Sequence, residues 1–329
     1  MNILLVMPLS YGYYKTIAET IKSKGDTVCF IPDFDESTSK RVYRKFFSIN
    51  AWQNKYFRKQ WERIGNQRFD LVVVVRGYGY DYDTILMLKN SNPEAEFVMY
   101  QWDPLSVSRF DERALKLFDR VFSFDKKDCG IYGMEYFPLF FKKQDFGGDV
   151  DVQYDFSFVG SGHTQRLYVL GKLISILQQK GYSYFIKVYI NKWAYYLGVL
   201  KNLPGYRGFP KENLSFKPVP KELANLVVGQ SKVVIDVHHP KQTGLSIRVM
   251  EVLGASKKVI TTNKTILSEP FYSPKVIGII ENCTLPSNIG DLLDSDDTVD
   301  VRKYEVQNWV DYVFYGLTAP GMPEGATDC

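Results

Sequence analysis

Residues 71–75 read Leu-Val-Val-Val-Val, inside the longer run FDLVVVVRGYGYD. An unbroken β-branched stretch has no polar face to offer water. It reads as a strand covered on both sides, as in a parallel sheet. Parallel neighbours need crossover connections, and helical patterns appear where those crossovers belong. NILLVMPL is a first strand, residues 14–24 a helix stopped by Gly25, and DTVCFIP a second strand. After the third strand, DTILMLKNSNP reads as a helix with Asp83 as its N-cap. AEFVMYQWDP is a fourth strand, DERALKLFDR a helix and VFSFD a fifth strand, after which MEYFPLFF leads out of the domain.

The pattern then restarts. The low-hydrophobicity stretch at 142–153, KKQDFGGDVDVQ, reads as a linker. YDFSFVGSG is a strand ending at Val159, with Gly160, Ser161 and Gly162 as the turn into the helix HTQRLYVLGKLISILQQKG. YSYFIKVYI, LSFKPV, KVVIDV, KKVITTN and KVIGII are further strand-like runs, with helical patterns between several of them and VRKYEVQNWVDYVFYG as a last helix. The expected class is therefore α/β, doubly wound, in two halves of the same βαβ grammar. The expected boundaries are 1–145, 153–300, a helix over 301–316 and a flexible tail over 317–329.

Composition narrows the classes. A chain of 329 residues exceeds one comfortable core, and 45% hydrophobic with 24% charged residues is ordinary for a globular protein. A formal charge of +4 is too weak to argue for nucleic acid. The four cysteines, Cys29, Cys129, Cys283 and Cys329, form no CxxC pair, which speaks against zinc and a disulfide framework and fits a reducing cytoplasm. MNILLVMP reads as a first strand rather than a signal peptide. No apolar run approaches a membrane span.

In open α/β sheets, ligands bind beyond the carboxyl ends of the strands. Two strand ends in the second half carry unusual residues. At the first, Gly160, Ser161 and Gly162 let backbone N–H groups approach a phosphate. His163 is a candidate sugar or phosphate contact, and Arg166 a second cation. A plain tight turn is the alternative. At the second, KVVIDV ends at His238 and His239, followed by Gln242, Thr243, Gly244, Leu245 and Ser246. Adjacent histidines point to opposite sides of an extended chain and make poor joint metal ligands, so a phosphate-binding helix start fits better. Arg248 and Glu251 share a helical face, where a surface ion pair is the alternative.

QTGLSIRVMEVLGASKKVITTN resembles the donor-binding unit of GT-B glycosyltransferases. More closely, it resembles the spore-maturation CgeB-type proteins and related capsule and lipopolysaccharide synthesis enzymes. The resemblance implies two Rossmann-like domains facing a cleft, the N-terminal one binding acceptor and the C-terminal one binding nucleotide-sugar. The last helix would cross back onto the N-terminal domain. It implies that Glu251 holds the ribose hydroxyls, that Thr243, Gly244, Leu245 and Ser246 contact the donor diphosphate or sugar, and that Gly160 and Ser161 open the donor domain. It also implies transfer without a metal or other cofactor. Arg166, Lys217 and Arg248 are then the cations for the leaving diphosphate. The retaining pattern's second glutamate position is Thr243 here, so the resemblance assigns no stereochemistry.

A catalytic base is expected from the N-terminal domain. Asp103 in QWDP is the preferred candidate and Asp81 the second, each with a capping role as alternative. Tyr11, Gly12, Arg76 and Tyr78 follow strands and are candidates for the acceptor side; for Arg76 a buried ion pair is the alternative. Residues 40–68 interleave nine Lys/Arg with aromatics. This segment reads as a helix pair packed on its own domain, as a contact through Arg41, Arg44, Arg58 and Lys59 with an anionic membrane or lipid-diphosphate acceptor, or, least, as a nucleic-acid surface. The function expected is sugar transfer from a nucleotide-sugar to a glycan or polyprenyl-diphosphate-linked acceptor in bacterial surface polysaccharide synthesis. The setting would be cytoplasmic, with peripheral attachment to the inner face of the plasma membrane. A nucleotide-sugar epimerase of the same shape and a non-catalytic two-domain binding protein are the alternatives.

Overall fold

The computed structural model describes residues 1–9, 12–34, 49–65, 67–143 and 150–318. The chain divides into two compact units, the first comprising Met1–Phe140, Lys241–Gly244 and Arg302–Cys329. Its strands are β1 (Asn2–Met7), β2 (Thr27–Pro32), β3 (Leu71–Val75), β4 (Glu96–Gln101), β5 (Arg120–Ser123) and β6 (Glu135–Tyr136). They form one sheet in the order β2-β1-β3-β4-β5-β6, every pair parallel. Every residue of β3 is buried, as an apolar run without alternation requires. The helices are α1 (Tyr13–Ser23), α2 (Ile49–Ile64), α3 (Tyr82–Ser91), α4 (Leu105–Ser108) and α5 (Lys126–Tyr132).

Three local readings change. The cap of α3 is Asp81, which accepts from the Thr84 N–H at 2.9 Å, so Asp83 lies inside the first turn. DERALKLFDR closes as a short 3-10 turn, Glu112–Leu117, held between the buried Phe110 and Phe118 and capped by Asp111. MEYFPLFF supplies β6, a two-residue edge strand too short to carry a periodic signal.

The second unit comprises Phe141–Pro240 and Leu245–Val301. Its strands are β7 (Tyr154–Ser161), β8 (Tyr184–Tyr189), β9 (Leu214–Ser215), β10 (Ser231–Asp236), β11 (Lys258–Thr261) and β12 (Ile277–Ile279). The sheet runs β12-β11-β10-β7-β8-β9, again all parallel. Strand order reverses between β7 and β10, the position at which open α/β sheets hold ligands. The helices are α6 (Thr164–Lys180), α7 (Lys192–Leu200), α8 (Lys221–Gly229), α9 (Ile247–Gly254) and α10 (Ile289–Asp294). Gly160 and Ser161, expected in a turn, are the last residues of β7, paired with Val188 and Tyr189. The turn is confined to Gly162 and His163.

The last helix, α11 (Val306–Tyr315), belongs to the first unit. Trp309 is fully buried, donates from Nε1 to the Pro138 carbonyl at 3.1 Å and meets the Tyr100 ring edge-on at 4.6 Å. Arg120 donates to the carbonyls of Val313 and Phe314 at 2.9 and 2.8 Å, satisfying the orphan acceptors of the helix end with a cation.

Candidate functional site

In the second unit two arginines hold the end of β7, and one of them ties it to the end of β10. Arg166, in the first turn of α6, donates through Nη2 and Nε to the Val237 carbonyl (2.6 and 3.1 Å) and through Nη1 to the Ser161 carbonyl at 2.6 Å. Arg248, on α9, donates through Nη2 to the Val159 carbonyl at 2.7 Å. The Phe158 ring centroid is 4.6 Å from the Arg248 guanidinium carbon and 5.5 Å from that of Arg166. Gly160 is glycine because of Arg248: a Cβ there would sit 2.4 Å from Nη2. At Gly162 a Cβ would meet Val188 Cγ1 at 2.8 Å.

His163 caps α6, its Nδ1 accepting the Arg166 backbone N–H at 3.4 Å. An acceptor at Nδ1 places the neutral ring's proton on Nε2. That Nε2 is buried and meets no hydrogen-bond partner among the described residues, and the same holds for Arg248 Nη1. Burial first, then the charge of Arg166 and the neighbouring His239 and His238, holds His163 down to about 4, so the ring is neutral at physiological pH. Its ring meets His239 edge-on at 5.2 Å. His238 is tied to Thr262, with its N–H on the hydroxyl oxygen at 3.1 Å and Nδ1 at 2.7 Å; burial lowers its pKa as well. Ser246 caps α9 and donates to Asp236 Oδ1 at 2.9 Å, while Leu245 is buried. Glu251 stands half-buried on α9, one turn beyond Arg248.

Lys217 is exposed beyond β9, the edge strand, so two strand spacings (roughly 10 Å) separate its strand from β7. The structure does not bring it to the β7 and β10 ends.

In the first unit the second cluster forms at the ends of β2, β3 and β4. Arg76 has φ +69°, uncommon for a residue with a side chain. A bidentate bridge to the fully buried Asp33 holds it there, Nε and Nη2 at 2.7 and 2.8 Å. Asp33 also accepts the Tyr78 N–H at 3.3 Å. Asp103 lies 3.7 Å from Arg76 Nη1 and accepts from Gln242 Nε2 at 3.5 Å. Its carboxyl is raised to about 6: burial dominates, Arg76 pulls the other way and Asp33 adds repulsion. Gln101, at the end of β4, donates to the Arg76 carbonyl at 3.0 Å and leaves Oε1 buried without a partner among the described residues.

Thr243 and Gly244 are held by Asp125, a buried carboxylate that also caps α5. Asp125 Oδ2 accepts the N–H groups of Thr243 and Gly244 at 2.9 and 3.2 Å, and Oδ1 accepts the Thr243 hydroxyl at 2.6 Å. Gly244 lies flat on Phe124, where a Cβ would fall 2.4 Å from the ring. Asp33 and Asp125 escaped the sequence reading; their one signal was position, an acid directly after a strand-like run.

Gly12 sits in the left-handed region at φ +71° as the N-cap of α1, and Tyr11 lies outside the described residues. So do Arg41 and Arg44, while Arg58 and Lys59 are exposed on α2. The aromatics between those cations turn inward: Phe57 is fully buried against Tyr80, and Trp61 packs at 6.1 Å on Phe69. Among the described residues no helix is long and apolar enough to cross a membrane, and no group of three or more His, Cys, Asp or Glu is placed to hold a metal.

No protein-family model matches the chain, and no curated protein sequence matches it. Solved structures do match in shape. MurG of Acinetobacter baumannii has a TM-score of 0.49 at 10% identity, over 95% of this chain and 99% of that one. A putative UDP-N-acetylglucosamine 2-epimerase from Listeria monocytogenes has a TM-score of 0.47 at 10% identity, over 89% and 85%. The catalytic domain of starch synthase IV from Arabidopsis thaliana, solved with ADP and acarbose, has a TM-score of 0.50 at 8% identity, over 96% of each chain. The last likeness shows the fold: the chain has the two-unit parallel α/β architecture of the GT-B glycosyltransferases.

Proposed function

We propose that this chain is a glycosyltransferase that moves a sugar from a nucleotide-sugar to a glycan or polyprenyl-diphosphate-linked acceptor in bacterial surface polysaccharide synthesis, of the capsule or lipopolysaccharide kind. The observation that carries the reading is the pair of buried, unpartnered groups, His163 Nε2 and Arg248 Nη1, at the reversal point of the second sheet. A buried polar group without a partner costs about 1–3 kcal/mol, and a ligand that supplies the partner recovers it. Both groups are donors, one neutral and one cationic, beside the N-terminus of a 17-residue helix. That set suits an anionic oxygen cluster such as a diphosphate.

In the reaction proposed, the acceptor hydroxyl oxygen attacks the anomeric carbon as the bond from that carbon to the diphosphate oxygen breaks. Charge accumulates on the leaving diphosphate, where His163 Nε2–H, Arg248 and the α6 N–H groups stabilise it. Glu251 is assigned the ribose hydroxyls, on the resemblance above. The hydroxyl proton passes to Asp103, whose raised pKa of about 6 lies near operating pH, as a general base requires. Transfer without a metal is part of the proposal.

The test is thermal unfolding with UDP, GDP, CDP, ADP and CMP-sugars. A bound nucleotide at a hundred times its Kd raises stability by about 2.7 kcal/mol. His163→Phe and Arg248→Met should each weaken that nucleotide by about tenfold, the worth of one hydrogen bond to a charged partner. A chain that no nucleoside diphosphate or CMP-sugar stabilises, or variants that bind like the parent, would refute the site. The gathering of His163, His238 and His239 around the same strand ends favours nucleotide-sugar epimerisation as a second reading. Conversion of free donor without acceptor would select it.

A further inference from the structure

Helix α7 is amphipathic with its apolar face outward. Trp193, Tyr196, Leu197 and Leu200 follow the i, i+3, i+4, i+7 spacing of one face and are 83%, 52%, 51% and 78% exposed. The opposite face seats the helix: Tyr195 is buried, and Gly198 lets Tyr206 come so near that a Cβ would lie 2.3 Å from its ring. Phe216, 41% exposed, stacks on Tyr196 at 6.3 Å and continues the patch past β9. A contiguous exposed patch of this make-up marks an interaction site.

Charge identifies the partner. Residues 191–222 hold six cations (Lys192, Lys201, Arg207, Lys211, Lys217 and Lys221) against Glu212 and Glu222, a net +4. The whole chain is also +4, so the rest is formally neutral. All six cations are exposed. Lys192 and Lys201 bracket α7, and Lys217 follows Phe216 directly. We propose that α7 and the Phe216 loop form an interfacial anchor that lies in the headgroup region of an anionic bilayer. Trp and Tyr favour that depth, leucines reach the acyl boundary, and lysines meet the acidic headgroups. The nine residues of α7 measure roughly 14 Å at 1.5 Å per residue, too short to cross a bilayer and suited to lying on it. A two-fold contact with a second copy would set this cationic patch against itself. The proposal is independent of the donor site, because vesicle binding needs no nucleotide.

The experiment is co-sedimentation of the full chain with vesicles of one-quarter phosphatidylglycerol in phosphatidylcholine, and with phosphatidylcholine alone. The parent should bind the anionic vesicles and lose that binding at high salt. Replacing Trp193, Leu197 and Leu200 by serine, all exposed and so harmless to folding, should lower partitioning about a hundredfold, with unchanged circular dichroism. Lys192→Gln, Lys201→Gln and Lys217→Gln together should lower it about a hundredfold on anionic vesicles alone, at roughly fivefold per lysine. Arg58→Gln with Lys59→Gln on α2 should leave it unchanged. Three outcomes overturn the proposal: a parent that does not sediment with anionic vesicles, a serine variant that sediments like the parent, or a soluble dimer that the serine variant abolishes.

Discussion

Gly160→Ala tests why glycine ends β7. The position is not among the left-handed residues, so alanine carries no backbone penalty there. The conflict is with one side chain: the new Cβ falls 2.4 Å from Arg248 Nη2, whereas Phe158 Cζ at 3.2 Å needs to yield only a few tenths of an ångström. Arg248 must therefore release the Val159 carbonyl, which it holds at 2.7 Å. Losing a charge-assisted bond in a half-buried place costs about 1.5–3 kcal/mol, and the stiffer unfolded chain returns about 0.5 kcal/mol. The net expectation is a loss of about 1–2.5 kcal/mol. With Arg248→Met the clash partner is gone, and the same alanine should be neutral or slightly stabilising. The cycle of four proteins, measured by urea unfolding with circular dichroism, should give a coupling of about 2 kcal/mol. An alanine that costs the same in both backgrounds, or nothing in the parent, would refute the assignment of Gly160 to Arg248.

The two titrating groups act in opposite directions. His163 is held at about 4 against an ordinary 6.5, so the unfolded chain binds the extra proton between those values. Stability of the second unit should rise with pH through that window, and His163→Gln should flatten the rise in calorimetry. Asp103 is raised from 3.8 to about 6, so there the folded chain binds the extra proton and stability of the first unit falls as pH rises through the window. Asp103→Asn should remove that fall, and in the proposed reaction it should also abolish the limb of the rate profile that rises near pH 6. Asp125→Ala removes the carboxylate that accepts from the N–H groups of Thr243 and Gly244 and that caps α5. It should cost about 3–5 kcal/mol by denaturant unfolding, and a loss under about 1 kcal/mol would mean water replaces the carboxylate.

The sequence made strands legible where one residue type has to do one job. Leu71–Val75 has no face to spare for water, and the strand follows from that alone. Strand ends are different, because a small residue there looks the same whether it admits a ligand, a backbone or a side chain. Gly160 read as part of a phosphate turn; the structure extends β7 through it and gives its space to Arg248, which arrives from α9. Thr243 and Gly244 read as donor contacts, and their backbone is already engaged by Asp125. What local pattern lacks in each case is the partner, which lies far along the chain.

Helix α7 shows the same ambiguity in its sharpest form. The spacing of Trp193, Tyr196, Leu197 and Leu200 defines an apolar face as well as any core helix does. Periodicity names the face but not its surroundings, because the pattern is identical whether that face meets a sheet or solvent. The deciding residue is on the other side: Gly198, where only a missing side chain lets Tyr206 reach the helix axis. Once Tyr195 and Gly198 are the seated face, the four large apolar residues must look outward. In α2 the seating runs the opposite way, with Phe57 and Trp61 inward and Arg58 and Lys59 outward. An interfacial anchor needs exposed apolar residues with cations near enough to reach the headgroups. By that criterion the proposed anchor falls on α7 with its flanking lysines, whereas Arg58 and Lys59 on α2 face solvent with Phe57 and Trp61 turned inward.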